Sequence, residues 1–223
     1  MAGSGGTLSP QRGVQGGSAP LANRPIPSTI PAMTDFAPWK VLSTRSALRD
    51  RWIDVTADAV RDARGNLLDP FYTLGYPDWV QVVALTDDDR IVLVRQYRHG
   101  ARAHTLELPA GAMDAGDASP LDTAARELRE ETGFTARDIR HVASLHPNTA
   151  THRNRCHTVL ALGVQAGAAM AHEAGEDIVV ETPALAEVLA GLPSGMLPQA
   201  MHVSALLLAL AAAGRLDLAL RPT

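Results

Sequence analysis

A helix with recognisable residues at both ends lies in the middle of this chain, between segments that read as β-strands. Ser119 is placed to cap its amino end, Pro120 takes the first helical position and Asp122 stands at the capping-box position. Gly133 is placed to end the helix in the left-handed conformation. The sequence therefore predicts a helix from about 120 to 132 within a fold that also contains strands.

Strand candidates surround this helix. The two clearest, 79–85 and 91–95, are apolar runs joined by the polar segment 86–90, which predicts a hairpin. The other strand candidates are 52–55, 57–60, 106–108, 139–145, 158–164 and 178–181, with a turn at 64–66, and two further helices are predicted near 183–190 and 198–213. Many strands with helices between and after them indicate an α+β sandwich.

The first 34 residues differ from the rest of the chain. They contain six Gly, five Pro, no aromatic residue and no acidic residue. A segment of this composition cannot bury enough apolar surface to form a core. We therefore expect residues 1–34 to be a disordered extension and residues 35–223 to be the folded domain.

Charge and composition exclude several classes of partner. The net charge is −4 and the basic residues are scattered, which argues against a nucleic-acid partner. No stretch reaches the ~18 apolar residues that span a bilayer, and the start lacks a signal-peptide pattern, so no membrane partner and a cytoplasmic location are expected. The single cysteine, Cys156, excludes an internal disulfide and is most simply a small packed side chain.

Three glutamates share one face of the predicted helix. At 100° per residue, Glu127, Glu130 and Glu131 fall within an arc of ~100°. Clustered carboxylates repel one another unless a cation neutralises them, and oxygen ligands suit a hard divalent ion such as Mg²⁺. For the helix alone, a solvated acidic face with Arg126 and Arg129 as surface partners is the commoner explanation.

The residues around this helix resemble the Nudix hydrolases, which share the pattern G-x5-E-x7-R-E-U-x-E-E-x-G-U, where U is an apolar residue. The matching residues are Gly111, Arg126, Glu127, Leu128, Glu130, Glu131, Gly133 and Phe134. The chain departs from the pattern at Asp117, which replaces the first Glu and is separated from Arg126 by eight residues rather than seven. The resemblance implies an α/β/α sandwich with a mixed β-sheet.

The same resemblance implies a division of roles within the site. The metal ligands would be the glutamates Glu127, Glu130 and Glu131 with the backbone carbonyl of Ala110. The ion would be Mg²⁺, with Mn²⁺ as the alternative, and Glu130 and Glu131 would also be catalytic. Arg126 would orient the glutamates through hydrogen bonds rather than touch the substrate.

Two stretches ahead of the helix narrow the resemblance to the ADP-ribose pyrophosphatase branch. They are V-L-V-R-Q-Y-R-H-G at 92–100 and L-E-L-P-A-G at 106–111. By resemblance, Arg98 and less firmly Arg95 would grip the diphosphate, since a guanidinium fork suits phosphate oxygens, and Glu107 would belong to the substrate site. For Arg95, a strand-edge cation facing water is an equal alternative.

Two loops complete the expected site. The segment 146–157 matches a Nudix subgroup with the pattern P-N-x-A-x-x-x-N-R-x-H, which would bring Arg155 and His157 to the substrate. A buried strand histidine bonded to backbone is the equal alternative for His157. The segment 171–178 corresponds to a loop that often supplies the carboxylate base, so Glu173 and Glu176 are the candidates, each equally well explained as a solvated acid.

Two tryptophans offer flat surfaces for a base. Trp52 and Trp79 would stack with an adenine ring, although either is equally well explained as a core residue. The resemblance thus implies metal-dependent hydrolysis of ADP-ribose or another nucleoside diphosphate sugar by a homodimer. The alternatives are a Nudix hydrolase of dinucleotides such as NADH or diadenosine polyphosphates, and a nucleotide-binding module without catalysis.

Overall fold

The computed structural model describes residues 37–172 and 177–217. The strands are β1 Lys40–Arg49, β2 Asp54–Arg61, β3 Leu67–Gly75, β4 Trp79–Leu85, β5 Ile91–Arg98, β6 Ala103–Glu107, β7 Ala110–Ala112, β8 Phe134–Thr135, β9 Asp138–Leu145, β10 Cys156–Leu162, β11 Gln165–Ala166 and β12 Val179–Glu181. The α-helices are α1 Pro120–Thr132, α2 Leu185–Gly191 and α3 Ala200–Ala212, with a 3₁₀ turn at Leu192–Ser194.

The strands form a mixed central sheet and a separate antiparallel sheet. The central order is β12-β5-β4-β10-β9, with β6 paired to β5 and β7 paired to β4. Only β4 and β10 run parallel among these described pairs, with Cys156 opposite Trp79 and Leu162 opposite Leu85. Ahead of this sheet, β1, β2 and β3 pair in chain order, and β8 pairs with β11.

Helices cover both faces of the central sheet. Alternate residues of β4 point to opposite sides, so Val82 packs in the core beneath α1 while Val83 packs in the core beneath α3. Ala124 and Leu128 contribute the buried stripe of α1. The α+β fold with a mixed sheet between helical layers, expected from the sequence, is confirmed.

The ends of α1 have the expected geometry. Ser119 is extended (φ −159°), its hydroxyl accepts the N–H of Asp122 at 3.4 Å and donates to the Asp122 carboxylate at 2.7 Å. Gly133 ends the helix at φ 69°, and its N–H donates to the carbonyl of Arg129 at 2.9 Å. The helix therefore begins and ends at the residues that the sequence indicated.

The amino-terminal sheet differs most from the sequence prediction. Strands β1 and β3 were not expected, and the predicted segments 52–55 and 57–60 are a single strand, β2. Every residue of β1 is exposed, so it has no pattern of buried and exposed positions. Strand β3 contains Pro70, which an edge position tolerates because no ladder hydrogen bond is lost there.

Smaller differences lie at strand ends. Strand β5 continues past the predicted end at 95 to Arg98, and β10 ends at Leu162 rather than 164. The expectation of disorder for 1–34 falls outside the described residues. Among the helices within 37–172 and 177–217, none combines the length and apolar character that a bilayer crossing requires.

Candidate active site

Two of the three clustered glutamates are buried. Glu127 and Glu131 lie on the side of α1 that faces the sheet, and Glu130 is partly exposed. The carboxylate of Glu131 accepts the backbone N–H of Ala110 at 3.0 Å, which connects α1 to β7. Burial of two ionised side chains is costly without compensation, so these carboxylates are not an ordinary solvated face.

The backbone of β7 approaches this helix closely at Gly111. A Cβ atom at that position would lie 2.0 Å from Oε1 of Glu127 and 2.1 Å from its carboxyl carbon. Any residue larger than glycine would therefore displace the Glu127 carboxylate. The glycine at the start of the sequence pattern thus makes room for the first glutamate on the helix.

Arg126 is the main positive charge that compensates the cluster. Its Nη1 donates to Oε1 of Glu127 at 2.8 Å and to Oε2 of Glu130 at 3.4 Å. Its Nη2 donates to Oδ2 of Asp117 at 2.9 Å and to the carbonyl of Ala112 at 3.2 Å. These bonds, the one to Asp117 foremost, raise the pKa of Arg126 above its usual value. One guanidinium therefore fixes two of the glutamates relative to β7.

Asp117 occupies the position at which the sequence departs from the Nudix pattern. Its carboxylate binds Arg126 and also accepts the hydroxyl of Thr123 at 2.9 Å. The hydrogen bond from Arg126 is the largest reason that the pKa of Asp117 lies well below its usual value. The shorter side chain and the extra residue in the loop therefore still deliver a carboxylate to Arg126.

The donor set of this cluster consists of oxygens. Glu127, Glu130 and Glu131 with the carbonyl of Ala110 would offer carboxylate and carbonyl ligands, which fit a hard divalent ion. In the part of the chain that the structure describes, no three acidic, His or Cys side chains already converge on a metal position. The carboxylates of Glu127 and Glu130 bind Arg126, and that of Glu131 binds the Ala110 N–H.

A large cavity adjoins β7 and the loop that follows it. Its volume is about 730 Å³, and it is lined by aromatic, cationic and apolar side chains. Of the residues expected in the site it brings together Trp52, Trp79 and Arg98. Ala112 and Asp114 belong to the same lining, so the cavity reaches the segment that carries Gly111.

The lining also includes residues that were not among the expected site residues, Tyr76 and His152 among them. Tyr76 and His152 have ring centroids 5.4 Å apart and stand on the cavity wall. They meet because β3 and the loop after β9 form a bridge between Leu74 and His152. This contact joins residues 78 positions apart, so no local pattern in the sequence could have indicated it.

Arg98 is held by a buried carboxylate. Its Nε donates to Oε1 of Glu107 at 3.0 Å and its Nη2 donates to Oε2 at 2.7 Å. Thr105 also donates to Glu107 at 2.6 Å. Burial alone would raise the pKa of Glu107, but the hydrogen bonds from Arg98 and Thr105 outweigh it and lower that pKa. Glu107 therefore acts here as a support for Arg98.

His202 of α3 binds the residue that follows Glu107 and β6, Leu108. The ring is 1% exposed, and its Nδ1 accepts the backbone N–H of Leu108 at 3.2 Å. Burial lowers its pKa to about 4, although the negative charge of Glu107 opposes the shift. His202 is therefore neutral at pH 7 and holds the turn between β6 and β7.

This histidine should make folding stability depend on pH. The unfolded chain takes up the proton near pH 6.5 and the folded chain only near 4, so stability is complete above ~6.5 and declines toward 4. We expect a loss of about 2 kcal/mol between pH 7.5 and 5 from this group. Urea unfolding of the parent and of His202→Gln, each at pH 7.5 and at pH 5, measures this loss of stability. Equal pH dependence in the two proteins would contradict the assignment.

Comparison with known families identifies the domain. A sequence model of the NUDIX domain matches residues 76–193, which is more than half of the chain. The chain belongs to the NUDIX domain family. A second model, the nucleoside diphosphate sugar hydrolase N-terminal domain, matches residues 39–74, which correspond to the sheet of β1, β2 and β3. This sheet, of which only β2 was expected from the sequence, therefore lies within a recognised sequence domain.

Relatives of this Nudix chain include named enzymes. An ADP-ribose pyrophosphatase of Bacillus subtilis is 35% identical over 86 residues, which cover 39% of this chain and 46% of that protein. One of Mycobacterium tuberculosis is 49% identical over 57 residues, which cover 26% and 28%. The chain therefore spans less than half the length of these curated relatives.

A solved structure shares the fold of this Nudix chain. The crystal structure of an ADP compounds hydrolase superposes with a TM-score of 0.71 at 24% sequence identity. The superposition covers 81% of this chain and 98% of that one. At this identity the likeness establishes the fold.

Two of the residues expected to contact substrate, Arg95 and Arg155, do not line the 730 Å³ cavity. Arg95 forms an ion pair with Glu181 of β12, with Nε and Oε1 2.5 Å apart, and it does not line the described cavity. The exposed Arg155 is not part of that lining either, and its backbone N–H donates to Asp78 at 2.8 Å. Both remain predictions as substrate residues.

His157 is buried on the face of the central sheet that α1 covers. Its neighbour Cys156 contacts Met201 of α3, so strand alternation turns His157 toward the α1 side. Its Nδ1 lies 2.8 Å from the hydroxyl of Ser144, and its Nε2 lies 3.4 Å from Asp78. Burial raises the pKa of the Cys156 thiol to about 11, which keeps it protonated.

The candidate bases Glu173 and Glu176 fall outside the described residues. The chain just before them is fixed at the carboxyl end of α1, where Ala171 N–H donates to the carbonyl of Glu130 at 2.9 Å. The ring of His172 bonds the carbonyl of Glu131 at 3.0 Å. This segment therefore leaves the described structure at the carboxyl end of α1.

Proposed function

We propose that this chain hydrolyses the diphosphate bond of ADP-ribose or a related nucleoside diphosphate sugar. The products would be a nucleoside monophosphate and a sugar phosphate. The observation that carries the proposal is the pair of buried glutamates, Glu127 and Glu131. Glu127 packs against Gly111 of β7, and the strand's last residue, Ala112, lines the aromatic cavity that also contains Arg98. The printed names of the relatives, ADP-ribose pyrophosphatase above all, support the same substrate class.

Each part of the site has a task in this reaction. A divalent ion, proposed as Mg²⁺ with Mn²⁺ as the alternative, would neutralise phosphate charge when bound by Ala110, Glu127, Glu130 and Glu131. Arg126 holds Glu127 and Glu130 in position. Arg98 would bind the diphosphate while Glu107 fixes its direction. Glu173 or Glu176 would accept the proton of the attacking water.

The cavity supports a nucleoside at one end of the substrate. Trp79 and Tyr76 provide flat surfaces on its wall, and Trp52 is stacked beneath the guanidinium of Arg51 at 4.3 Å. Aromatic rings of this kind stack with bases at low cost in side-chain entropy. Arg98 and Trp79 also line a second cavity of about 410 Å³. We place the diphosphate at Arg98, between the nucleoside and the sugar.

One observation favours dinucleotides as a second substrate class. A further cavity of about 420 Å³ shares Trp52, Tyr76 and Arg51 with the first and adds Arg49 and Arg153. The combined space would accept a second nucleoside or a longer phosphate chain. The two substrate classes can be separated by measuring kcat/KM at saturating Mg²⁺. The substrates to compare are ADP-ribose, UDP-glucose, GDP-mannose, NADH, diadenosine diphosphate and dGTP. A preference for dGTP would place the chain outside the proposed class.

We also propose that the chain forms a homodimer, and that strand β1 is the surface through which the two subunits pair. Val41, Leu42 and Leu48 are each about half exposed along this strand, which forms an outer edge of its sheet. An exposed apolar edge strand is a template for pairing with another chain. The expected cytoplasmic location and the division into an extension (1–34) and a catalytic domain (35–223) are likewise proposals.

Acidic substitutions in β1 should therefore dissociate the proposed homodimer. We expect the parent to have a dimer mass by light scattering at micromolar concentration, and Val41→Asp/Leu48→Asp to have a monomer mass, because carboxylates resist burial between chains. The control is Ser43→Asp, which adds a charge at a polar position of the same strand. A parent that is monomeric and fully active would contradict the proposal.

A further inference from the structure

Asp78 connects three segments that line the 730 Å³ cavity. Its Oδ1 accepts the backbone N–H of Arg155 at 2.8 Å, and its backbone carbonyl accepts the N–H of Met113 at 2.8 Å. The next residue, Trp79, donates its backbone N–H to the carbonyl of Arg155 at 2.9 Å. Each of the three segments contributes a residue to the cavity wall, namely Trp79, Met113 and Asn154. The relative position of these parts of the wall therefore depends on Asp78.

The carboxylate of Asp78 ends a hydrogen-bonded row of side chains. Its Oδ2 lies 3.4 Å from Nε2 of His157. Nδ1 of His157 lies 2.8 Å from the hydroxyl oxygen of Ser144, and that oxygen lies 2.8 Å from Nε2 of His141. His157 is 8% exposed, whereas His141 is exposed. The row therefore leads from the surface through the buried His157 to the segment that holds the cavity wall.

The carboxylate at the end of this row sets the direction of every bond in it. A carboxylate only accepts, so Nε2 of His157 carries a proton, and Nδ1 of the neutral ring accepts the hydroxyl of Ser144. The hydroxyl oxygen then accepts the N–H of His141. All three bonds run toward Asp78, and each donor meets an acceptor.

His157 acts on the cavity from behind its wall. Neither His157 nor Ser144 belongs to the lining of the 730 Å³ cavity that the described residues form. The side chain of Asp78 is 42% exposed, so without His157 its carboxylate would be able to turn toward solvent. The N–H of Arg155 would then lose its acceptor, and the loop that carries Asn154 would lose a contact with the strand that carries Trp79.

We propose that His157, supported by Ser144, is a positioning residue for the substrate, because it fixes Asp78 and thereby the wall of the cavity. The inference rests on the proposed function, since it takes this cavity as the substrate site of that reaction. A wall that is assembled in only a fraction of the molecules weakens binding in proportion to that fraction. The glutamates of α1 are held by separate contacts with Arg126 and Ala110. Loss of His157 should therefore raise KM and leave kcat nearly unchanged.

Steady-state kinetics with ADP-ribose at saturating Mg²⁺ test this role. We expect His157→Leu to raise KM by roughly 5- to 10-fold, the effect of one hydrogen bond to a charged group, and to change kcat by less than about 2-fold. His157→Gln should return KM to within about 2-fold of the parent, because its amide supplies one donor and one acceptor. The control Thr158→Val removes the hydroxyl of the next buried residue of β10, on the opposite face of the sheet, and should leave KM unchanged.

A double-variant cycle separates positioning through Asp78 from a general loss of stability. If His157 acts through Asp78, the KM values of Asp78→Ala and of Asp78→Ala/His157→Leu should agree within about 2-fold, because the second change has no bond left to remove. Independent damage to the fold would instead multiply the two effects. Should His157→Leu fail to fold, Ser144→Ala replaces it in the cycle, since this side chain is only partly buried, and should raise KM by about 3-fold.

Several results would overturn the role of His157. They are an unchanged KM in His157→Leu, a loss confined to kcat, a His157→Gln protein no better than His157→Leu, and effects that multiply in the cycle. Each of these is measured on a parent that turns over ADP-ribose, so the proposed function survives them. A parent that leaves ADP-ribose intact would instead defeat the proposed function, and the inference with it.

Discussion

Glu131→Gln is expected to lower kcat for ADP-ribose by ~10³-fold, which corresponds to about 4 kcal/mol of lost transition-state stabilisation. Glu131 is 4% exposed and accepts the N–H of Ala110 at 3.0 Å. A glutamine oxygen preserves that hydrogen bond, so the fold should remain while the metal-ligand charge is lost. The measurement is kcat at saturating Mg²⁺ and substrate, with the melting temperature recorded alongside.

The matched control is Glu187→Gln, which removes an exposed glutamate from α2. It should leave both kcat and the melting temperature close to those of the parent. Metal titration by calorimetry should show weaker Mg²⁺ binding for Glu131→Gln alone. If Glu131→Gln retains activity within a few-fold of the parent, Glu131 is not a metal ligand.

Arg98 should contribute up to 100-fold to kcat/KM through the diphosphate. A charge-assisted phosphate contact is worth about 1.5–3 kcal/mol, or ~10- to 100-fold in kcat/KM. Arg98→Ala alone would also leave Glu107 as a buried and uncompensated charge, since that side chain is 2% exposed. The informative variant is therefore Arg98→Ala/Glu107→Gln, which removes both charges, measured by kcat/KM for ADP-ribose.

Two further variants separate charge from geometry at this position. Glu107→Gln alone keeps the guanidinium of Arg98 but weakens its support. We expect it to lower kcat/KM less than the double variant does. Arg98→Lys should recover part of the activity, because a point charge cannot reproduce a bidentate fork. An Arg98→Ala/Glu107→Gln protein with the kcat/KM of the parent would exclude Arg98 from the substrate site.

The sequence was most informative where structure is local. The helix α1 could be predicted at both ends because Ser119 and Gly133 act on their own neighbours. The shared face of Glu127, Glu130 and Glu131 follows from helical geometry alone. Strand β4 could be predicted as well, since it is a largely apolar run that a polar turn follows.

Side-chain pairings between different strands could not be predicted from local sequence patterns. The pairing of Arg98 with Glu107 joins two strands of a hairpin, and that of Arg95 with Glu181 joins residues 86 positions apart. Their spacing of three along β5 puts the two arginines on opposite faces of the strand, and of the two only Arg98 lines the cavity. Similarly, every residue of β1 is exposed, and its sequence lacks the alternation of apolar and polar residues by which strands are recognised.

The central claim is cleavage of a diphosphate by metal held on α1. Its most direct test is phosphorus NMR of ADP-ribose incubated with the full chain and Mg²⁺. The account predicts that the diphosphate signals are replaced by those of AMP and ribose 5-phosphate, and that EDTA stops the conversion. Unchanged ADP-ribose in the presence of Mg²⁺ or Mn²⁺, or cleavage that continues in EDTA, would contradict it.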